Sequence, residues 1–219
     1  MYVCTNCWNE SLTWKGQCDF CKEWNTLKEF KESKEKKWAK KGEKKALEKI
    51  GLKSGEEARI ITESSELNTV LGGGIVTWSV ILLSGEPGIW KSTLSLQLAN
   101  WIGEDIIYIS GEETLGQIQS RAKRLNIGGN NIALLTEHII EDIFASIEGK
   151  NARVIIWDSI SVLASKEISG TSGSISQVKY IAEKIVEYSK NNNITSIIIG
   201  HVTKDGSLAG PKTLEHLVD

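Results

Sequence analysis

The sequence predicts an α/β fold with a mostly parallel sheet and a phosphate-binding loop, behind a small metal-binding module. Three observations carry this. An apolar run, Val80 to Leu83, leads through Gly85-Glu86-Pro87-Gly88-Ile89-Trp90-Lys91-Ser92-Thr93 into a helical pattern with Leu94, Leu96, Leu98 and Ala99 as its apolar positions. Strand, glycine-containing loop, Lys-Ser and helix is the order of a P-loop. Short aliphatic strands then alternate with helical stretches as far as Ile199, which implies parallel strands joined by crossover helices. At the N-terminus, four cysteines fall into two C-x-x-C pairs.

Bulk properties set the frame. With 219 residues the chain is long enough for one α/β domain and an accessory module. It is 40% hydrophobic and 25% charged, as expected of a soluble globular protein. The net charge of −2 does not announce a nucleic-acid binder, so local charge must carry any such argument. No apolar stretch approaches the roughly 18 residues that span a membrane. The N-terminus lacks the basic and apolar regions of a secretory signal, and a cytoplasmic protein is expected. Tryptophan supplies 8 of the aromatic residues against 4 tyrosines and 3 phenylalanines, a ratio that asks for a reason.

Residues 1–30 read as a zinc ribbon. Cys4, Cys7, Cys18 and Cys21 supply four thiolates from two tight knuckles, the set that tetrahedral Zn²⁺ requires. All four positions are filled, which argues for a structural metal that supplies most of the module's folding free energy. Trp14 and Trp24 are expected to pack over the knuckles. Residues 31–58 read as a linker. Between Lys31 and Lys53, ten lysines oppose four glutamates, a local charge of +6. Such a run serves either as a solvated, self-repelling spacer or as a phosphate-attracting patch.

Residues 59–219 read as the nucleotide-binding core. Glu66 to Leu71 forms a short helix ending in the turn Gly72-Gly73-Gly74. The loop Gly85–Thr93 comes next: its backbone N–H groups cradle phosphates, Lys91 reaches the β and γ phosphates, and Ser92 holds Mg²⁺. The strand Ile106–Ser110 is closed by Gly111-Glu112-Glu113. There a carboxylate is placed to orient an attacking water, or the two form an acidic pair at a helix N-terminus. A helix with Ile118, Ala122 and Leu125 on one face follows, then a strand at 132–135. Val154 to Trp157 is a strand ending in Asp158, which has the form of a Walker B carboxylate for the Mg²⁺ shell. Residues 169–177 form a polar loop before a helix at 178–188, and Ile194 to Ile199 is the last strand.

These stretches resemble the bacterial RadA (Sms) family of DNA repair ATPases, relatives of RecA. The resemblance rests on Cys18-x-x-Cys21-Lys22-Glu23-Trp24-Asn25, Tyr108-Ile109-Ser110-Gly111-Glu112-Glu113, Asp158-Ser159-Ile160, Gly173-Ser174-Ile175-Ser176-Gln177-Val178 and Gly200-His201-Val202-Thr203-Lys204-Asp205-Gly206. It implies a RecA-like P-loop ATPase that uses ATP, Mg²⁺ and Zn²⁺ and forms a homo-oligomeric ring. It also implies action on single-stranded or branched DNA beside recombination proteins such as RecA. By the family pattern Glu112 activates water and Lys204 senses the γ-phosphate. The loops around 169–177 and 206–216 line a DNA channel. The family continues beyond the equivalent of Asp219 with further strands and a C-terminal domain, so an incomplete sheet is expected.

Three tryptophans, Trp8, Trp78 and Trp90, stand where the family has glycine. Glycine at such turns supplies positive φ and lets backbone lie against phosphate. An indole at position 90 is expected to crowd the phosphates or distort the loop. Either the loop is disabled and the chain is a non-hydrolysing interaction module, or the three are glycines encoded by a reassigned codon, most simply UGA, read as tryptophan. A KaiC-like regulatory ATPase is the remaining alternative.

Overall fold

The computed structural model describes residues 2–4, 10–11, 13–29, 58–86, 90–201, 214 and 216–219. The residues of the predicted linker from 31 to 57 lie outside this set. The chain divides into two compact units, Met1–Leu52 and Lys53–Asp219.

In the first unit, β1 (Tyr2–Cys4) pairs antiparallel with β2 (Glu10–Ser11) and β3 (Leu27–Glu29). Cys18 and Leu27 are its buried apolar residues among those described, with Tyr2 and Cys21 against them. So small a core cannot cover an indole. Trp14 and Trp24 are 59% and 66% exposed, which corrects the expectation that they pack over the knuckles. Trp24 does lie along the backbone of Gly16, where a Cβ would stand 3.5 Å from its ring.

The second unit opens with β4 (Arg59–Ile60) and β5 (Ile75–Val76), an antiparallel pair enclosing α1 (Ser65–Val70). Ser64 caps α1, its hydroxyl accepting from the Leu67 N–H. The Arg59 guanidinium donates to the carbonyls of Leu71 and Gly74, both at 3.0 Å, and closes the turn after the helix. Gly74 has φ +120°, and a Cβ there would meet the Ile60 carbonyl oxygen at 2.7 Å, so only glycine fits.

The main sheet contains β6 (Val80–Gly85), β7 (Ile106–Ser110), β8 (Ile132–Thr136), β9 (Val154–Asp158) and β10 (Thr195–His201), in the order β6-β10-β9-β7-β8. All four pairings are parallel. The helices are α2 (Lys91–Ile102), α3 (Leu115–Arg124), α4 (Ile140–Ile147) and α5 (Ile175–Asn192). The strands are aliphatic on both faces because both are covered. Ile106, Tyr108, Val154, Ile156, Ile197 and Ile199 join Leu96, Leu98 and Ile118 of α2 and α3 in one core. Ile107, Ile109, Ile155, Trp157 and Ile198 join Ile140, Ile143, Ile147 and Ile181 of α4 and α5 in the other. The period of two along each strand sorts these residues, and each fully buried Ile or Leu contributes about 1.5–3 kcal/mol.

Helix α4 adds to the elements expected from the sequence. Its signal is Ile140, Ile143, Phe144 and Ile147 at the i, i+3, i+4, i+7 spacing of one helical face. Glycine at 103 and asparagine at 193, both left-handed, end α2 and α5. Among the described residues no helix is long and apolar enough to cross a membrane.

Candidate functional site

The parallel register sets the site. His201 pairs with Gly85, and Ser110 with Asp158, so the carboxyl ends of four adjacent strands lie level. Ligands bind at that edge in sheets of this kind. β6 ends at Gly85 and α2 begins at Lys91, with Trp90 as its N-cap residue. Lys91 is buried, and its amine donates to the carbonyl of Gly85 at 2.7 Å and of Glu86 at 2.6 Å. Ser92 Oγ donates to Asp158 Oδ1 at 3.2 Å. The helix that follows the loop and the strand that ends in aspartate therefore bring these two oxygens together.

The second carboxylate oxygen of Asp158 is held from the neighbouring strand, where Tyr108 OH donates to Oδ2 at 2.5 Å. The same phenol oxygen lies 3.0 Å from Ser95 Oγ, one turn along α2 from Ser92. Burial pushes Asp158 above the usual carboxylate range, opposed by the hydrogen bonds from Tyr108 and Ser92 and reinforced by Glu112 and Glu113. Burial pulls Lys91 below the ordinary lysine value, opposed by Asp158 and Glu112.

The two glutamates after β7 part ways. Glu112 accepts from Ser159 Oγ at 3.0 Å, beside Asp158. Glu113 makes a half-buried ion pair with Arg121 of α3. Glu113 is thus held by a side chain of α3, whose first turn carries no acidic residue, and Glu112 is the one that lies beside Asp158. Tyr108, Ser95 and Ser159 were missed from the sequence. The legible sign was a hydroxyl-bearing ring inside an otherwise aliphatic strand.

Trp90 has φ 65° and Trp78 φ 66°, in the left-handed region that glycine occupies freely and bulky residues rarely do. Their side chains are 77% and 55% exposed. Position 90 thus carries a backbone conflict, with the indole exposed at the start of α2. Pro87, Gly88, Ile89, Lys204, Cys7 and Trp8 lie outside the described residues. The polar loop expected at 169–177 ends earlier, because α5 begins at Ile175, and Gln177 in its first turn is fully buried. Its carboxamide accepts from Ser165 N–H at 2.8 Å and donates to the carbonyls of Ser165, Ile168 and Gly170.

In the first unit, the Cys18–Cys21 turn has a knuckle's backbone. Lys22 N–H donates to Cys18 O at 3.0 Å, Cys18 N–H to Glu23 O at 2.9 Å, and Lys22 takes φ 61°. Sulfur donors from such a turn suit Zn²⁺, whereas the all-oxygen pair Ser92 and Asp158 suits Mg²⁺.

Comparison with known proteins follows this geometry. The rubredoxin metal-binding domain family, a zinc ribbon, matches residues 2–29. The family of ATPases associated with various cellular activities (AAA) matches residues 81–209, more than half the chain. The chain belongs to the AAA ATPase family. The resemblance of this AAA chain to RadA extends over its whole length. It is 47% identical to the DNA repair protein RadA of Rickettsia felis over 223 residues, covering 100% of this chain and 50% of that one. It is 40% identical to RadA of Aquifex aeolicus, with the same coverage of each. The AAA chain thus spans about half the length of the curated relatives it matches. A solved KaiC-like protein from Pyrococcus horikoshii superposes with a TM-score of 0.58 at 17% identity, covering 74% of this chain and 78% of that chain, and supports the RecA/KaiC-like fold.

Proposed function

We propose that the chain is a RadA-like ATPase that binds Mg-ATP at the Gly85–Thr93 loop and couples hydrolysis to single-stranded or branched DNA in recombination and repair. The observation that carries this reading is the convergence of Lys91, Ser92, Asp158 and Glu112 at one edge of the sheet. Lys91 exchanges its carbonyl partners for β and γ phosphate oxygens. Ser92 and Asp158 Oδ1 hold the magnesium shell. Glu112, oriented by Ser159, accepts the proton of the attacking water, and Lys204 senses the γ-phosphate. When bound, magnesium would supply positive charge that neutralises the phosphates during transfer. The four cysteines hold a structural zinc. DNA as partner is supported by the likeness to the DNA repair protein RadA; a homo-oligomeric ring and contact with RecA extend the same proposal.

Trp90 favours a second reading, a non-hydrolysing module. Binding of a fluorescent ATP analogue and phosphate release, measured on the chain and on Trp90→Gly with and without single-stranded DNA, decide between them. The ATPase reading expects Trp90→Gly to bind and hydrolyse Mg-ATP. Adding Glu112→Gln should lower turnover at least ~100-fold with binding kept. DNA affinity should fall as salt rises. Binding by neither protein would sink the ATPase reading. Binding by Trp90→Gly alone would leave the chain as written to the second reading. Equal, tight binding by both would show that Trp90 does not obstruct the site.

A further inference from the structure

We propose that Tyr108 is the positioning residue of the magnesium site: it fixes the rotation of the Asp158 carboxylate so that Oδ1 faces Ser92. The inference rests on the nucleotide site described above and adds to it a residue outside the phosphate loop and the Walker B strand.

Geometry carries it. The torsion that swings a carboxylate about its Cβ–Cγ bond is broad and roughly two-fold, so an aspartate at a strand end has no intrinsic reason to hold its carboxylate plane at one angle. At Asp158 the choice is made by two hydroxyls from different elements. Ser92 of α2 takes Oδ1 at 3.2 Å and Tyr108 of β7 takes Oδ2 at 2.5 Å. Tyr108 lies 1% exposed, on the same face of its strand as Ile106 and in the core that α2 covers. A buried phenol must find a partner, and this one meets Asp158 and also Ser95. Because Ser92 and Ser95 share α2, the tyrosine ties the helix that carries the phosphate loop to the strand that carries the carboxylate. Packing alone would be served equally well by phenylalanine, and the oxygen accounts for the difference.

The experiment is Tyr108→Phe in the full chain and in the Trp90→Gly background. Binding of a fluorescent ATP analogue is titrated with Mg²⁺ and repeated in EDTA. The ring is retained, and a cooperative thermal transition verifies the fold. The half-saturating Mg²⁺ concentration should rise about tenfold, the lower end of what loss of an outer-sphere hydrogen bond costs a metal site. The EDTA affinity should not move. Ser95→Ala, which keeps the Tyr108–Asp158 bond, should give a smaller shift in the same direction. An unchanged Mg²⁺ dependence in Tyr108→Phe overturns the assignment. So does an equal loss in EDTA, which marks a structural role only. Failure of both backgrounds to bind nucleotide overturns the site reading itself, and the tyrosine assignment with it.

Discussion

Trp157 and Trp90 lie at opposite extremes of what a tryptophan meets in this protein. Trp157 sits in the middle of the sheet, wholly buried, its ring edge-on to Phe144 at 6.1 Å and its indole N–H donating to Ser196 Oγ at 3.1 Å. Ser196 in turn shares a 2.7 Å hydrogen bond with Ser189 of α5. Every part of that indole has a partner. Trp90 has a backbone suited to glycine and a side chain mostly in solvent, and Trp78 repeats the pattern. One residue type thus occupies a place built for an indole and two places built for no side chain at all. The lesson is that backbone angle, read beside burial, separates a tryptophan the fold uses from one it tolerates.

The largest expected effect lies on the buried side. Trp157→Ala should destabilise the fold by roughly 3–5 kcal/mol, by urea denaturation, because it leaves a large cavity in the core. A loss below 1 kcal/mol would break the contrast. Next come Trp78→Gly and Trp90→Gly. Each should stabilise by about 1 kcal/mol through relief of the left-handed backbone, with additive gains in the double variant. If either destabilises, its indole has a role that exposure does not reveal. The smallest effect is expected from Ser196→Ala, about 1 kcal/mol from the lost indole hydrogen bond. The coding sequence sharpens all three, with UGA expected at 78 and 90 and UGG at 157. UGG throughout would end the reassignment idea.

Much of this was legible in the sequence because its signals are local and periodic. The Gly85–Thr93 loop, the aliphatic strands and the aspartate closing 154–158 each announce themselves within a dozen residues. The convergence of Lys91, Ser92, Asp158 and Glu112 followed from placing strand ends together. What stayed hidden depends on pairing across the sheet. Nothing in the chain order says that Tyr108 reaches Asp158, that Ser159 reaches Glu112, or that Glu113 turns aside to Arg121. The first two contacts are fixed by the β7–β9 register, which is a long-range property, and the third by the turn that leads from β7 into α3. The exposed Trp14 and Trp24 were misjudged for another reason: hydrophobicity asks for cover, and so small a unit cannot provide it.

Helix α5 carries a mechanical consequence. Its first turn is fastened through Gln177 to the 165–170 segment, and its last turn through Ser189 to β10. Its 18 residues span about 27 Å at 1.5 Å per residue. A rod pinned at both ends by buried polar contacts cannot slide quietly, as it can where only aliphatic chains touch. The 165–170 segment and the strand whose end stands beside Gly85 are thus joined to one helix by buried hydrogen bonds.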